Sequence, residues 1–205
     1  VLSSDWTFGM LDRPCKLMTS VYYKYLWDLI PYRVDNVQLR YSAQNNSVGY
    51  ACGTDIRLYG EFIKGIDSWI TLSLMKTEED IEGDGAGYIP RPTDQLYNIN
   101  ISFQDYMPKM PYLRVYLSFN YGSGYPYGAP NSQRYLQTNR MPDYLRCDIA
   151  FTFRIKDENS SWAKNNFMKV FKRIWFNVEW FNVFSSQNVI SYFWVADYSN
   201  KYYGV

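Results

Sequence analysis

The sequence contains no histidine among its 205 residues. Histidine is the usual base that activates serine and cysteine nucleophiles, and it supplies the usual nitrogen ligand of zinc. Its absence excludes Ser-His and Cys-His catalytic sites and leaves a zinc site without its commonest ligand. We therefore expect no enzyme activity and no cofactor.

Cysteine is scarce, with three residues at Cys15, Cys52 and Cys147. The number is odd, and the spacing lacks the close pairs that mark metal sites. Cys52 and Cys147 also fall on the apolar faces of predicted strands. We interpret all three as small hydrophobic side chains rather than as disulfide partners or metal ligands.

An excess of one charge and a long apolar run are both missing. Lysine and arginine total 21 and aspartate and glutamate total 20, which gives a net charge of +1. No basic stripe stands out, so nucleic acid is not expected as a partner. No apolar run reaches about 18 residues, so no transmembrane helix is predicted.

Aromatic residues, by contrast, are abundant. They make up 20% of the chain, with 21 tyrosines and 7 tryptophans, which is more than a core requires. Such an excess is typical of the aromatic girdles of membrane barrels and also of carbohydrate-binding surfaces. Composition leaves both interpretations open.

Alternation of apolar and polar residues predicts eight strands. In the clearest of them, Leu113, Val115, Leu117, Phe119 and Tyr121 share one parity, and mostly polar residues share the other. The predicted strands are Val1–Met10, Lys16–Leu26, Tyr50–Phe62, Ile66–Lys76, Tyr97–Gln104, Leu113–Tyr121, Leu145–Ile155 and Ile174–Phe184. Each has one apolar face.

Alternation alone does not decide which face meets water. The same pattern is expected for a soluble sandwich with its apolar face inward and for a membrane barrel with that face outward. Strand length favours the barrel, because an apolar band about 25 Å tall needs about five residues of one parity. Average globular strands have only about two or three residues on each face.

The connections between predicted strands are alternately short and long until Lys156–Arg173 breaks the order. Short turns at one end and long loops at the other are typical of up-and-down outer-membrane barrels. A Greek-key sandwich has no reason to show them. No repeat or low-complexity linker is visible, so residues 1–205 are predicted to form a single region.

Four stretches carry more specific patterns. They are Gly87–Gln95 (GYIPRPTDQ), Tyr121–Pro130 (YGSGYPYGAP), Met141–Ile149 (MPDYLRCDI) and Glu179–Val195 (EWFNVFSSQNVISYFWV). They resemble the C-terminal half of a TonB-dependent outer-membrane receptor of the Bacteroidetes type. The last stretch is the most specific, and the resemblance extends over most of the chain.

The resemblance implies an all-β, antiparallel, up-and-down transmembrane β-barrel segment, about eight strands of the 22-stranded, plugged kind. It implies active import of a scarce nutrient, such as a chelated metal, vitamin, glycan or peptide, across the bacterial outer membrane. The implied partners are outer-membrane lipid, the rest of the receptor with its plug domain, TonB through the N-terminal part, and a surface lipoprotein.

With long loops external, both Val1 and Val205 are expected on the external side, whereas complete barrels of this class keep their termini in the periplasm. We therefore expect at least one strand to be missing at each end. If the resemblance holds, we expect the N-terminal plug, its TonB box and a closing strand after Tyr203 to lie outside this sequence. Two rival hypotheses are a soluble carbohydrate-binding β-sandwich and a self-contained eight-stranded outer-membrane anchor or adhesin.

Tyr125, Tyr127 and Tyr135 occur with glycine and proline in the predicted loop Gly122–Asp143. Flat rings with a hydroxyl at the rim suit sugars and aromatic ligands. With Arg134, these residues form the predicted substrate-binding set. The neighbouring predicted loop, Thr77–Gln95, is expected to lie beside them because its flanking strands are consecutive in the chain.

Acidic residues in that second loop are weak candidates for calcium ligands. They are Glu79, Asp80, Glu82 and Asp84. Carboxylate oxygens suit Ca²⁺, but the spacing does not complete a known calcium loop. A solvated acidic loop is the favoured interpretation.

Overall fold

The computed structural model describes residues 1–10, 12–35, 37–63, 66–107, 109–129, 132–158, 170–199 and 201–204. Its strands are β1 (Leu2–Met10), β2 (Arg13–Leu29), β3 (Tyr32–Asp35), β4 (Gln38–Tyr41), β5 (Ser47–Ile63), β6 (Ile66–Ile81), β7 (Ile89–Pro90), β8 (Tyr97–Met107), β9 (Met110–Gly122), β10 (Pro126–Tyr127), β11 (Asn139–Arg140), β12 (Tyr144–Lys156), β13 (Ile174–Trp180), β14 (Trp194–Ala196) and β15 (Tyr202–Gly204). One 3₁₀ turn covers Arg134–Leu136.

Eight long strands form one antiparallel sheet in the order β1-β2-β5-β6-β8-β9-β12-β13, and β7 is added beside β6. Each long strand pairs with the next long strand in the chain. The predicted all-β, antiparallel, up-and-down arrangement is confirmed in this respect. Three small hairpins, β3–β4, β10–β11 and β14–β15, lie outside the sheet.

The strand register places the apolar residues of neighbouring strands opposite one another. Ile101 lies between Ile70 on one side and Phe119 on the other. Phe119 in turn faces Cys147. Because successive side chains alternate between the two faces of a sheet, this register gives the whole sheet one apolar face.

The opposite face is polar across the same strands. Ser102 faces Ser118, which faces Asp148. On β12 itself, Nε of Arg146 lies 2.9 Å from Oδ2 of Asp148. The sheet therefore separates an apolar surface from a hydrogen-bonding one.

No packed layer covers the apolar face in the described part of the chain. Side chains on this face remain substantially exposed, including Leu74 at 45%, Phe151 at 37% and Val178 at 45%. Among the described residues, the buried apolar side chains are few and scattered: Cys15, Ile89, Met141, Cys147 and Ala150. The apolar surface of the sheet is therefore left largely exposed by the described residues.

The sheet is open in the part of the chain that is described. β1 pairs with β2 and β13 pairs with β12, and neither has a second long neighbour. An open strand edge carries unpaired backbone groups. Closure into a barrel is therefore not a property of this sheet.

Several strands extend further than predicted at the long-loop end. β2 continues to Leu29, β5 already begins at Ser47, and β6 runs to Ile81. The reason is the ladder between β5 and β6, which continues through the charged residues and pairs Gly49 with Glu79. Residues 77–81, predicted as loop, are strand.

The last strand of the sheet is shorter than predicted and ends at Trp180 instead of Phe184. Asn182 and Ser185 have positive φ angles of 50° and 51°, and Asp148 Oδ1 accepts a hydrogen bond from the Asn182 backbone N–H at 2.8 Å. These contacts turn the chain away from the sheet. The predicted turn residues Lys64, Gly65 and Pro108 lie outside the described residues.

Candidate ligand-binding site in the long loops

The long connections gather at one end of the sheet, because alternate connections of an antiparallel meander share an end. The predicted neighbourhood of the β6–β8 and β9–β12 loops is confirmed by direct hydrogen bonds. Nη1 of Arg140 donates to the carbonyl of Asp94 at 2.8 Å and to that of Gly124 at 3.2 Å. The two loops form one structure above the sheet.

Asp94 fixes the base of this structure. Its side chain is 1% exposed, and Oδ1 accepts a hydrogen bond from the backbone N–H of Thr77 at 2.7 Å. Its other oxygen is paired with Nη2 of Arg140. One buried carboxylate thus joins the end of β6 to both loops, and charge-assisted bonds of this kind are the stronger ones.

Glu79, two residues beyond Thr77 on β6, is the centre of a second buried cluster. It is completely buried, and its Oε2 lies 3.3 Å from Nε of Arg91 while its Oε1 lies 3.0 Å from Nη2 of Arg134. Nη2 of Arg134 also donates to the carbonyl of Pro90. Burial lowers the pKa of the Arg134 guanidinium, and the negative charge of Glu79 opposes that effect.

The β9–β12 loop is closed at its neck by close backbone contact. A methyl group added at Gly124 would lie 1.8 Å from the carbonyl oxygen of Met141, so only glycine fits there. The Met141 N–H donates to the carbonyl of Tyr125 at 3.0 Å. This contact fixes where the β10–β11 hairpin leaves the sheet.

Asp143 fixes the end of the β9–β12 loop, directly before β12 begins. The hydroxyls of Tyr121 and Tyr97 each donate to Oδ2 of Asp143 at 2.7 Å. These two hydrogen bonds, that from Tyr121 first, hold the pKa of the Asp143 carboxyl below its usual value.

An aromatic cleft of about 320 Å³ opens between the β3–β4 hairpin, the β6–β8 loop, the β9–β12 loop and the segment that follows β13. The rings of Tyr127 and Tyr192 are 4.9 Å apart, and those of Tyr192 and Trp194 are 6.2 Å apart. Tyr32 and Tyr125 complete the aromatic lining. Within the described part of the chain, no charged residue lines this cleft. Its surface suits a neutral ligand with apolar faces and hydroxyl groups.

The predicted substrate-binding set is divided between different places. Tyr125 and Tyr127 both line the aromatic cleft, whereas Tyr135, on the 3₁₀ turn, does not. Arg134 lines a second pocket of about 410 Å³ on the other side of Tyr32. The structure therefore brings together two of the four predicted residues.

Three aromatic residues of the cleft were not among the predicted site residues. Tyr192 and Trp194 belong to the stretch Glu179–Val195 that carries the resemblance, but the pattern does not indicate that this segment folds back over the loops. Tyr32 lies on a hairpin within a connection that alternation left without structure. Aromatic enrichment in long loops is the one signal that marks all three.

The predicted calcium candidates do not assemble into a site. In the ranges described, no three acidic or cysteine side chains come together. Glu79 is taken by two arginines, and Asp80 follows it in an extended strand, which points the two side chains to opposite faces. Oδ1 of Asp84 accepts the N–H of Ala86 at 2.9 Å, and Glu82 is exposed on the same turn.

Comparisons of the chain with protein-family models, with curated proteins and with solved structures find no match. The described residues include no helix that is long and apolar enough to span a membrane. A functional conclusion therefore depends on the geometry of the sheet and its loops.

Proposed function

We propose that this chain forms part of the wall of a transmembrane β-barrel in the bacterial outer membrane. The proposal rests on the strand register, which aligns apolar residues on one face of eight neighbouring strands, and on the exposure of that apolar face. Exposed apolar surfaces of this extent mark lipid or partner contact. The polar face then lines the interior.

Strand length supports the same proposal. β2 and β5 have 17 residues each and β6 has 16. At about 3.3 Å per residue, such strands are roughly twice as long as an apolar band about 25 Å tall. The surplus stands above the membrane and carries the long loops.

We further propose that the complete receptor imports a scarce nutrient by TonB-dependent transport, without catalytic chemistry. The nutrient is a chelated metal, vitamin, glycan or peptide, and the long loops bind it on the external side. The aromatic cleft supports this role because it is formed by four separate loop segments at one end of the sheet. The partners are lipid, the plug domain, TonB and a surface lipoprotein.

The rival functions receive less support. A carbohydrate-binding β-sandwich needs a second sheet over the apolar face, and the other sheets in the described residues have two strands each. A self-contained eight-stranded barrel requires β1 to pair with β13, and the described register has no such pairing.

A transport experiment tests the proposal. Deletion of the gene in the source bacterium should abolish uptake of one nutrient from a panel of labelled metal chelates, vitamins, glycans and peptides. Restoring the receptor with Tyr125→Ala and Tyr127→Ala should lower that uptake at normal surface abundance. Tyr135→Ala is the matched control, since Tyr135 lies in the same loop outside the cleft, and it should restore full uptake.

Two results would contradict the proposal. If deletion of the gene leaves the uptake of every nutrient in the panel unchanged, the proposed transport function is wrong. Surface labelling that fails to detect the receptor in the outer membrane would remove the proposed location.

A further inference from the structure

Aromatic side chains lie near the upper end of the apolar face on five of the long strands, where the upper end is the one that carries the long loops. They are Tyr25 on β2, Tyr50 on β5, Tyr97 on β8, Tyr121 on β9 and Trp180 on β13. Tyr25 is 50% exposed and Trp180 is 65% exposed, and the other three are half-buried. We call these five residues the aromatic row.

The row crosses the strands diagonally. Tyr50 lies opposite Glu78 on β6, whereas Tyr97, on the other side of β6, lies opposite Leu74, four residues further down that strand. Tyr121 lies opposite the residue two positions below Tyr97 on β8. The row therefore descends in register from β5 to β9.

The descent continues to the last strand of the sheet. Tyr121 lies opposite Leu145 on β12, and Trp180, on the other side of β12, lies opposite Ile149, four residues further down. Strands in membrane barrels are tilted by about 45°, so a line parallel to the membrane descends in register from strand to strand. The diagonal row is such a line.

The chemistry of the apolar face changes at the level of the row. On β6, this face carries the aliphatic residues Ile70, Leu72 and Leu74 below the row. The next two positions toward the loops are Lys76 and Glu78, whose Nζ and Oε1 atoms are 3.0 Å apart. Charged side chains are costly in hydrocarbon, so the row separates a surface that suits hydrocarbon from one that suits water.

The tyrosines of the row direct their hydroxyls toward the loops. The rings of Tyr97 and Tyr121 are 5.7 Å apart, and both hydroxyls donate to Asp143 in the β9–β12 loop. The Tyr50 hydroxyl donates to Glu78. An apolar ring with its polar group on the wet side is typical of tyrosine at a membrane surface.

The sheet below the row has the height of one membrane. β9 extends from Tyr121 down to Met110 at the short-turn end of the sheet. That distance is about 36 Å along the strand and about 25 Å in height at a tilt of about 45°. The apolar band of an outer-membrane barrel is also about 25 Å tall.

We propose that the aromatic row contacts the lipid headgroups of the external leaflet and marks the outer surface of the bilayer. The aliphatic face below the row lies in hydrocarbon, and Lys76, Glu78 and the long loops lie above it. The aromatic cleft is then wholly outside the bilayer. This inference rests on the proposed function, because it requires the sheet to be part of a membrane wall.

The test measures the depth of single spin labels in the bilayer. The protein is purified from the outer membrane of the source bacterium and reconstituted in phosphatidylcholine vesicles. Collisions with oxygen, which concentrates in hydrocarbon, are compared with collisions with a water-soluble nickel chelate. The labelled variants are Leu117→Cys, Trp180→Cys and Asp80→Cys, in a protein whose native cysteines are replaced by alanine.

Leu117 and Trp180 give the decisive comparison, because both lie opposite Ile149 and are therefore aligned in register. With a tilt of about 45° and two strand spacings between them, the label at Leu117 should lie about 7 Å deeper than the label at Trp180. Val115→Cys, two residues further down the same face, repeats the comparison and should lie deeper still. The label at Asp80, above the row on β6, should collide chiefly with the nickel chelate.

Equal depths at Leu117 and Trp180, or a label at Asp80 in hydrocarbon, would overturn the row as the boundary and leave the membrane wall intact. Labels at Leu117 and Val115 that both lie outside hydrocarbon would contradict the membrane wall itself. The two failures are therefore distinguishable within one set of measurements.

Discussion

Nη2 of Arg134 lies 3.0 Å from Oε1 of Glu79, a side chain with no exposed surface. The pair joins strand β6 to the loop between β9 and β12, and Arg91 joins the same carboxylate from the β6–β8 loop. A charge removed from water at this depth must be compensated by its partners. The arrangement of the loops therefore depends on Glu79.

Glu79→Gln should destabilise the protein by about 3–5 kcal/mol, because it leaves two arginines without their buried counter-charge. Urea unfolding in detergent measures the loss. Asp5→Asn is the control, since Asp5 pairs with Lys16 at the surface, where the two side chains are 56% and 39% exposed. That change should cost less than about 1 kcal/mol. Equal stability of the two variants would show that the Glu79 cluster is not structural.

Leu117 and Ser118 are neighbours on β9 that point to opposite faces of the sheet. If the apolar face meets lipid, Leu117→Arg should lower the stability of the folded protein in lipid by about 2–4 kcal/mol. Ser118→Arg should be tolerated, since its position faces Asp148 and Ser102 on the polar side. Folding into lipid vesicles, followed by chemical unfolding, compares them. Severe destabilisation by Ser118→Arg together with a neutral Leu117→Arg would mean that the faces are reversed.

Gly124→Ala should disturb the neck of the β9–β12 loop. The added methyl group meets the backbone of Met141, which cannot rotate away as a side chain does. We expect a loss of about 1–3 kcal/mol and faster proteolytic cleavage within residues 123–143. Gly9→Ala is the matched control, because its nearest contact is 3.9 Å away. Equal rates of cleavage in the two variants would contradict this account of the neck.

The sheet was predictable because its signal is local. Residues two apart lie on the same face of a strand, so the alternation within one strand identifies its two faces. Ile99, Ile101 and Phe103 therefore identify β8 without any knowledge of its neighbours. Strand ends were less predictable at the loops. The charges of Glu78 and Glu79 led to their prediction as loop residues, but the hydrogen-bonded ladder between β5 and β6 continues through both.

The candidate site was predictable only in part, because it is built from residues far apart in the chain. Glycine and proline around Tyr125 and Tyr127 mark a shaped loop, and these residues do line the cleft. Nothing in the sequence pairs Tyr127 with Tyr192 or places Arg134 against Glu79. Those contacts follow from how the loops pack, which alternation does not encode.

Asp143 should make the stability of the protein depend on acid pH. Hydrogen bonds from Tyr121 and Tyr97 hold the pKa of its carboxyl below the ordinary value of 3.8 in the folded state. A group with a depressed folded pKa contributes stability that is present above its unfolded pKa and is lost as pH falls through the folded pKa.

The free energy of unfolding, measured by urea in steps from pH 6 to pH 2, should therefore fall below about pH 4. Asp143→Asn has no carboxyl to titrate at this position and should show a smaller decline over the same steps. Tyr121→Phe removes one donor and raises the pKa of Asp143 toward its ordinary value, so the decline should be smaller than in the parent and should be complete at a higher pH. Identical pH dependence in the parent and in Asp143→Asn would show that the two tyrosine hydroxyls do not stabilise the ionised carboxylate.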